Sequence, residues 1–408
     1  IIGKSGNTRQ IDLSSNITTT NIQTYNGPVR LVGGDRTVST TNSNVVFAST
    51  VNSDGTARAL TVTNGTGDTT FSGAIGGSAP VSALTITSDQ LTAGAIKLNG
   101  ALTATLGGSS TISGVIANGA SAANLVKAGN GTLTLSGANT YTGTTAINAG
   151  DLTVSGSLHD STAVSIASGA DYNVNASDTV ASIEGAGNIV LASSQTLTAG
   201  DANNKTLSGV ISGAGNYIKA GSGIQTLSAS NTYTGTTQVS AGTLTVSGSG
   251  RLSDSTAVTV DSGATYNVAV SDTVASIAGA GNITLGSNTL TSGGSDASTT
   301  FSGVISGTNG NIVKAGTGTL TLTGNNSYTG STTISAGLLK ILRDDPTSYL
   351  AATSGFTGPG NLTIESSAGN FTADIVTGTH VQLAGTALGD LIIGKSGNTR
   401  QIDLSSNI

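Results

Sequence analysis

NLVKAGNGTLTLSGANTYTGTTAINAG, residues Asn124–Gly150, decides how this chain is read. At its centre Leu133 and Leu135 alternate with Thr132 and Thr134. A period of two sends the leucines to one side of the backbone and the threonines to the other, which makes a strand and not a helix. Gly, Asn and Ser close the run on both sides, so the strand is short and bounded by turns. The text returns as NYIKAGSGIQTLSASNTYTGTTQVSAG at 216–242 and as NIVKAGTGTLTLTGNNSYTGSTTISAG at 311–337. Lys127, Lys219 and Lys314 are spaced by 219 − 127 = 92 and 314 − 219 = 95 residues, and Tyr141, Tyr233 and Tyr328 follow the same spacing.

The stretches between these copies also match. LHDSTAVSI from Leu158 answers LSDSTAVTV from Leu252, and SDTVASIEGAGNI from Ser177 answers SDTVASIAGAGNI from Ser271, both at an offset of 94. Asp151–Gly242 and Thr243–Gly337 are therefore two full long repeats, and Thr111–Gly150 is the tail of a partial one. A longer identity frames them: IIGKSGNTRQIDLSSNI occupies both Ile1–Ile17 and Ile392–Ile408, an offset of 391. Identity over such a length implies tandem duplication, so the chain reads as one 391-residue unit followed by the start of the next.

Composition narrows the class. Charged residues are 9% of the 408, against roughly 25% in an average soluble domain. Disorder does not follow, because Val, Ile and Leu recur at alternating positions, and disordered chains lack such residues and carry more charge. Repeats grow by stacking and need no separate large cores. With no Trp and five Phe, a sandwich with a bulky core is disfavoured. Only Pro28, Pro80, Pro346 and Pro359 interrupt the chain, as suits uninterrupted hydrogen-bond ladders. The net charge is −6 and the 15 basic residues are scattered, which leaves no electrostatic footprint for nucleic acid. There is no Cys, hence no disulfide, thiol catalysis or Cys-based metal site. No apolar run is long enough for a transmembrane helix.

The expected fold is all-β, a right-handed parallel β-helix (β-solenoid) over the whole chain. At about 20 residues per coil and about 4.8 Å between coils, one unit would rise on the order of 90–100 Å. The expected organisation is a first segment at 1–110, the strand repeats at 111–341, a junction and return to solenoid at 342–391, and the start of the next unit at 392–408. Phe47 and Phe71 are expected in the core of the first segment. LRDDPTSYLAATSGFTGPG, 342–360, breaks the pattern and reads as a protruding loop, a short helix or a seam.

The pattern K-A-G-x-G-T-L-T-L-x-G-x-N-x-Y-T-G-x-T-x-I-x-A-G-x-L resembles the autotransporter-associated β-strand repeat of Gram-negative surface proteins. Three copies carry it, the middle one departing at Ile224–Gln225. With their spacers they cover about 111–341. Residues 18–100 are more loosely similar to repeats of filamentous-haemagglutinin-like exoproteins. The resemblance implies an exported β-helix serving adhesion or biofilm formation, and it brings no catalytic residues.

Residues able to carry chemistry have plainer readings. His159–Asp160 aligns with Ser253–Asp254, so it reads as a solvated turn, and Glu184 aligns with Ala278. Asp178 and Asp272, each in S-D-T, read as Asx turns to nearby amides. Asp201 and Asp296 lie outside any calcium-repeat pattern. Asp344–Asp345 could hold a cation, but reads more plainly as part of the excursion at 342–360. Gly185–Gly187 and Gly279–Gly281 lack the following helix that a phosphate cradle uses. Tyr141, Tyr233 and Tyr328 read as core rings closing a corner, with Asn139, Asn231 and Asn326 satisfying turn amides. Thr-x-Thr pairs such as Thr132/Thr134 and Thr319/Thr321 raise ice binding, which needs a flat face with the pair on successive coils; the pairs are not evenly repeated at coil spacing, which argues against it.

No catalytic, cofactor-binding or metal site is expected, and no cofactor. The expected role is a non-enzymatic structural shaft of an extracellular fibre or giant adhesin at a Gram-negative cell surface. Its expected partners are neighbouring identical units, other fibres or cell-surface receptors, and not nucleic acid. The alternatives are a β-helix polysaccharide-active enzyme and an ice-binding solenoid.

Overall fold

A computed structural model describes residues 9–344, 355–373, 375–376, 383 and 388–403. Among them there is no helix, and every strand pairing is parallel. The chain divides into two units, Ile1–Ala199 and Gly200–Ile408. Each is a stack of coils in which short strands pair with the equivalent strands one coil earlier and one coil later.

In the first unit one face runs from Gln23–Tyr25 through Val45–Phe47 and Thr69–Phe71 to Asn188–Leu191. A second runs from Ile17–Thr19 through Arg36–Thr40 to Ser182–Gly185. A third, more broken face includes Ile11–Leu13, Val29–Leu31 and Val51–Ser53. Coil length is elastic. Phe47 lies under Phe71, 71 − 47 = 24 residues on, whereas Tyr172 lies under Ile189, 189 − 172 = 17 residues on. Strands stay in register because length differences are absorbed in the turns. The right hand expected of strands that return to the same sheet through a crossover is the hand of this fold class.

The alternation in the sequence is the alternation of burial. Leu133, Leu135, Leu152 and Val154 point inward at 0% exposure while Thr132, Thr134 and Thr153 lie between them on the outer side. Small β-branched and leucine side chains fill a narrow interior by stacking on their own kind in the next coil. Tyr25, Phe47 and Phe71 form an aromatic stack, with successive centroids 4.8 Å apart and rings nearly parallel. That spacing is the inter-strand repeat itself, so the rings inherit it from the backbone ladder.

In the second unit the repeats do not return to the same face. The strand Asn216–Lys219 belongs to the sheet of Thr237–Val239 and Ala257–Val260, whereas Asn311–Lys314 belongs to that of Thr289–Ser292 and Thr332–Ile334. Much of the 342–360 excursion lies outside the described residues. Phe356–Thr357 is back in the ladder beside Thr332–Thr333.

One turn has no room for a side chain. A Cβ on Gly303 would sit 1.5 Å from the Gly281 carbonyl oxygen, and one on Gly324 would sit 1.7 Å from that of Gly303. Three consecutive coils thus touch backbone to backbone. Gly303→Ala is expected to force the coils apart and cost about 1–3 kcal/mol, the usual range for overpacking. A urea midpoint equal to that of the unsubstituted chain would show that the coils separate freely there.

Candidate functional site

The strongest chemistry in the chain is buried and repeated. Each motif lysine turns inward: Lys127, Lys219 and Lys314 are 0%, 1% and 1% exposed. The Lys127 ammonium donates to the carbonyl oxygens of Ala128, Gly129 and Ala149 at 3.0, 2.7 and 2.9 Å. Lys219 does the same to Ala220, Gly221 and Ala241, and Lys314 to Ala315, Gly316 and Ala336. Two of the three acceptors follow the lysine directly and the third is one coil on. A –NH3+ group has three donors and no acceptor, so the cradle uses it completely. Burial pulls Lys127 and Lys219 down to about 8, against the pull of Asp151 and Asp201, and lowers Lys314 against Asp296.

The asparagines two residues before the tyrosines also bridge coils. Asn139 accepts from the Ile116 amide at 2.9 Å and donates to the carbonyls of Gly137 and Ser157. Asn231 repeats this with Ile211, Ala229 and Arg251, and Asn326 accepts from the Ile305 amide. Asn139 and Asn231 each span three consecutive coils and Asn326 links two, a wider reach than the turn-capping expected from sequence. The tyrosines are core rings as expected, and their hydroxyls reach threonines: Tyr141 to Thr145 at 2.6 Å, Tyr233 to Thr237 at 2.5 Å, Tyr328 to Thr332 at 2.7 Å.

Asp178 and Asp272 are not exposed Asx turns. They are 4% and 3% exposed, and one partner of each comes from the preceding coil. Asp178 accepts from the Leu158 amide at 3.1 Å and the Tyr172 hydroxyl at 2.8 Å, and from its neighbour Thr179 at 3.0 Å. Asp272 accepts from Leu252, Tyr266 and Thr273. Burial pushes Asp178 up to about 6, against the three donors, and raises Asp272 likewise.

The other candidates are dispersed. His159 Nδ1 accepts from the Ser161 amide, and the His159 carbonyl accepts from Thr162. Ser253 holds the same turn with Ser255 and Thr256, so the imidazole is a substitutable turn residue. Asp160 is exposed, and Glu184 lies on an outer strand position. Asp201 caps Asn203, and Asp296 accepts from the Thr317 amide. Asp344 accepts from Ser366, Ser367 and the Ala368 amide, which lowers its pKa; Asp345 lies outside the described residues. Gly185–Gly187 and Gly279–Gly281 join parallel strands. Among the described residues no three His, Asp or Glu side chains gather.

Lysine in a carbonyl cradle was not foreseen. The signal was present: A-G recurs 149 − 127 = 22 residues after Lys127, and Ala241 and Ala336 stand at the same distance from Lys219 and Lys314. These clusters stitch one coil to the next, and they define the chain as a repeat-built β-solenoid.

Comparison with known proteins agrees. The passenger-associated-transport-repeat family model matches residues 125–154, 218–246 and 312–341. The chain is also 36% identical over 258 residues to the Adhesin BmaC autotransporter of Brucella suis biovar 1 (strain 1330), covering 60% of this chain and 7% of that protein. The chain thus spans a small fraction of the relative's length. No solved structure matches it. The chain carries autotransporter passenger repeats, on an adhesin-like β-solenoid.

Proposed function

We propose that this chain is a non-enzymatic shaft segment of a surface-displayed adhesin in a Gram-negative bacterium, extended by tandem 391-residue units. The observation that carries the reading is that the buried polar groups of each transport repeat are spent on bonds to neighbouring coils. Such bonds resist separation along the stack. The similarity to an autotransporter adhesin supports an adhesive role and exposure at the cell surface.

The tandem reading draws support from the duplicated segment. Ile11–Leu13 and its copy Ile402–Asp403 are both parallel strands. The first pairs with Val29–Leu31, which follows it in sequence; the copy pairs with Ile375–Val376, which precedes it. A strand inside a continuing array would have both kinds of neighbour. In this reading the partners are identical units along the fibre, other fibres and a receptor on the contacted surface.

The test is length. A chain carrying one further 391-residue unit should lengthen in electron micrographs by on the order of 90–100 Å, at about 4.8 Å per coil. Separate lobes with no axial increment would end the shaft reading. Cells displaying the chain should adhere or aggregate more than cells without it.

A further inference from the structure

Four successive coils of the first unit carry the same outward pattern. The strands Arg36–Thr40, Leu60–Thr63, Leu84–Ser88 and Ala101–Leu106 pair in direct register. Thr37, Thr61, Thr85 and Thr103 form one file, and Ser39, Thr63, Thr87 and Thr105 form a second beside it. The residues between the files, Val38, Val62, Ile86 and Ala104, point inward at 0% exposure and fix the rungs from behind. Neighbouring rungs stand about 4.8 Å apart across the coils and about 6.7 Å along each strand.

Two features mark this double file. Among the described residues, the hydroxyls of Thr61, Thr63, Thr85, Thr87, Thr103 and Thr105 bond to no protein group. Some other outward threonines are engaged, as Thr132 is by Asp151 and Thr153 by Asn173, while Thr70, Thr92, Thr111 and Thr134 form only a single file on another face. The eight positions also carry no charge. The array is bounded: Thr18 bonds Ser39 at one end, and Val126 and Ala128 replace the pair beyond Thr103 and Thr105.

We propose that this face binds ice. It is a two-dimensional array of hydroxyls, all but that of Ser39 beside a methyl group on the same side chain, repeating at the inter-strand and two-residue spacings of the sheet. The methyls shed mobile water and the unspent hydroxyls anchor ordered water in the lattice positions. A sugar surface fits less well, because sugars stack on aromatic rings and the seven described tyrosines are all buried. The site lies outside the transport repeats and is independent of the shaft reading.

The experiment measures thermal hysteresis and incorporation into slowly grown ice with the whole 408-residue chain. Both are expected for the unsubstituted chain. Thr63→Lys/Thr87→Lys should reduce incorporation to the level of a non-binding control protein, with the melting curve unchanged. Thr134→Lys, on another face, should leave incorporation intact. Should the double variant melt early, Thr85→Lys alone, which alters one rung of the other file, takes its place. No hysteresis and no incorporation by the unsubstituted chain, or equal incorporation by the folded variants, overturns the proposal.

Discussion

Lys127→Met should destabilise its coil by on the order of 3 kcal/mol or more. The side chain sits at 0% exposure, so the part-buried carbonyls of Ala128, Gly129 and Ala149 would lose their donor. An unsatisfied buried polar group costs about 1–3 kcal/mol, and three are created at once. The opposing effect is relief: an ammonium that burial already pulls down to about 8 no longer has to be desolvated. Replacing a buried ion by an apolar side chain is neutral or favourable when its partners are replaced too. Here the partners are main chain and stay. The orphaned carbonyls therefore outweigh the relief. Lys127→Arg should also destabilise, because a planar fork does not direct three donors into a cradle shaped for a point charge. In a stack whose stability is a sum of coil and interface terms, the loss should be local. Hydrogen exchange should accelerate over residues 125–154 and much less in distant coils. The triple change at Lys127, Lys219 and Lys314 should abolish cooperative unfolding. Unchanged exchange in Lys127→Met would mean that the carbonyls find water or each other, and the cradle would then be incidental.

The strands were legible because alternation is a local property. Leu133 and Leu135 show their face within five residues, and the structure only had to confirm the side. The parallel ladder followed from repeats too poor in bulk to build anything but a stack. What the sequence hid was register. The spacing from Thr61 to Thr85 is 24 residues and from Thr85 to Thr103 is 18, yet both pairs are direct neighbours. Even spacing along the chain was therefore the wrong criterion for the threonine array, since insertions in the turns leave a face undisturbed. Asp178 was misread for a related reason. Its S-D-T context favours a local turn, but the Leu158 amide reaches it only after the chain has wound round, and the Tyr172 hydroxyl joins it in the interior from the same coil. Lys127 carried a charge, which argued for solvent. Only three carbonyls converging from two coils make an interior position tolerable, and no linear pattern displays convergence.

Those same aspartates set the second large effect, a melting temperature that rises as the pH falls from 7 towards 5. Burial raises Asp178 from 3.8 to about 6 and raises Asp272 in the same direction. A carboxyl with a raised folded pKa contributes stability that is fully present below the unfolded value and is lost as pH rises through the folded one. For Asp178 a shift of about two units corresponds to about 3 kcal/mol between those limits. The contrary force is the donor set, Tyr172, Leu158 and Thr179, which suits a carboxylate; Asp160 nearby adds to the rise. For Asp272, Arg251 works with the donors against burial. Below about pH 4 the trend should reverse, because Asp54, Asp296 and Asp344 are held low by their hydrogen bonds and lose them on protonation. The maximum should then fall near pH 5. Asp178→Asn/Asp272→Asn removes both titrations while keeping an oxygen for the amide and the tyrosine, so its melting temperature should be flat between pH 5 and 7. Thermal melts followed by circular dichroism at half-unit pH steps decide the matter. If the unsubstituted chain instead loses stability steadily from pH 7 downward, the three donors outweigh burial and these carboxylates are ordinary ionised stitches between coils.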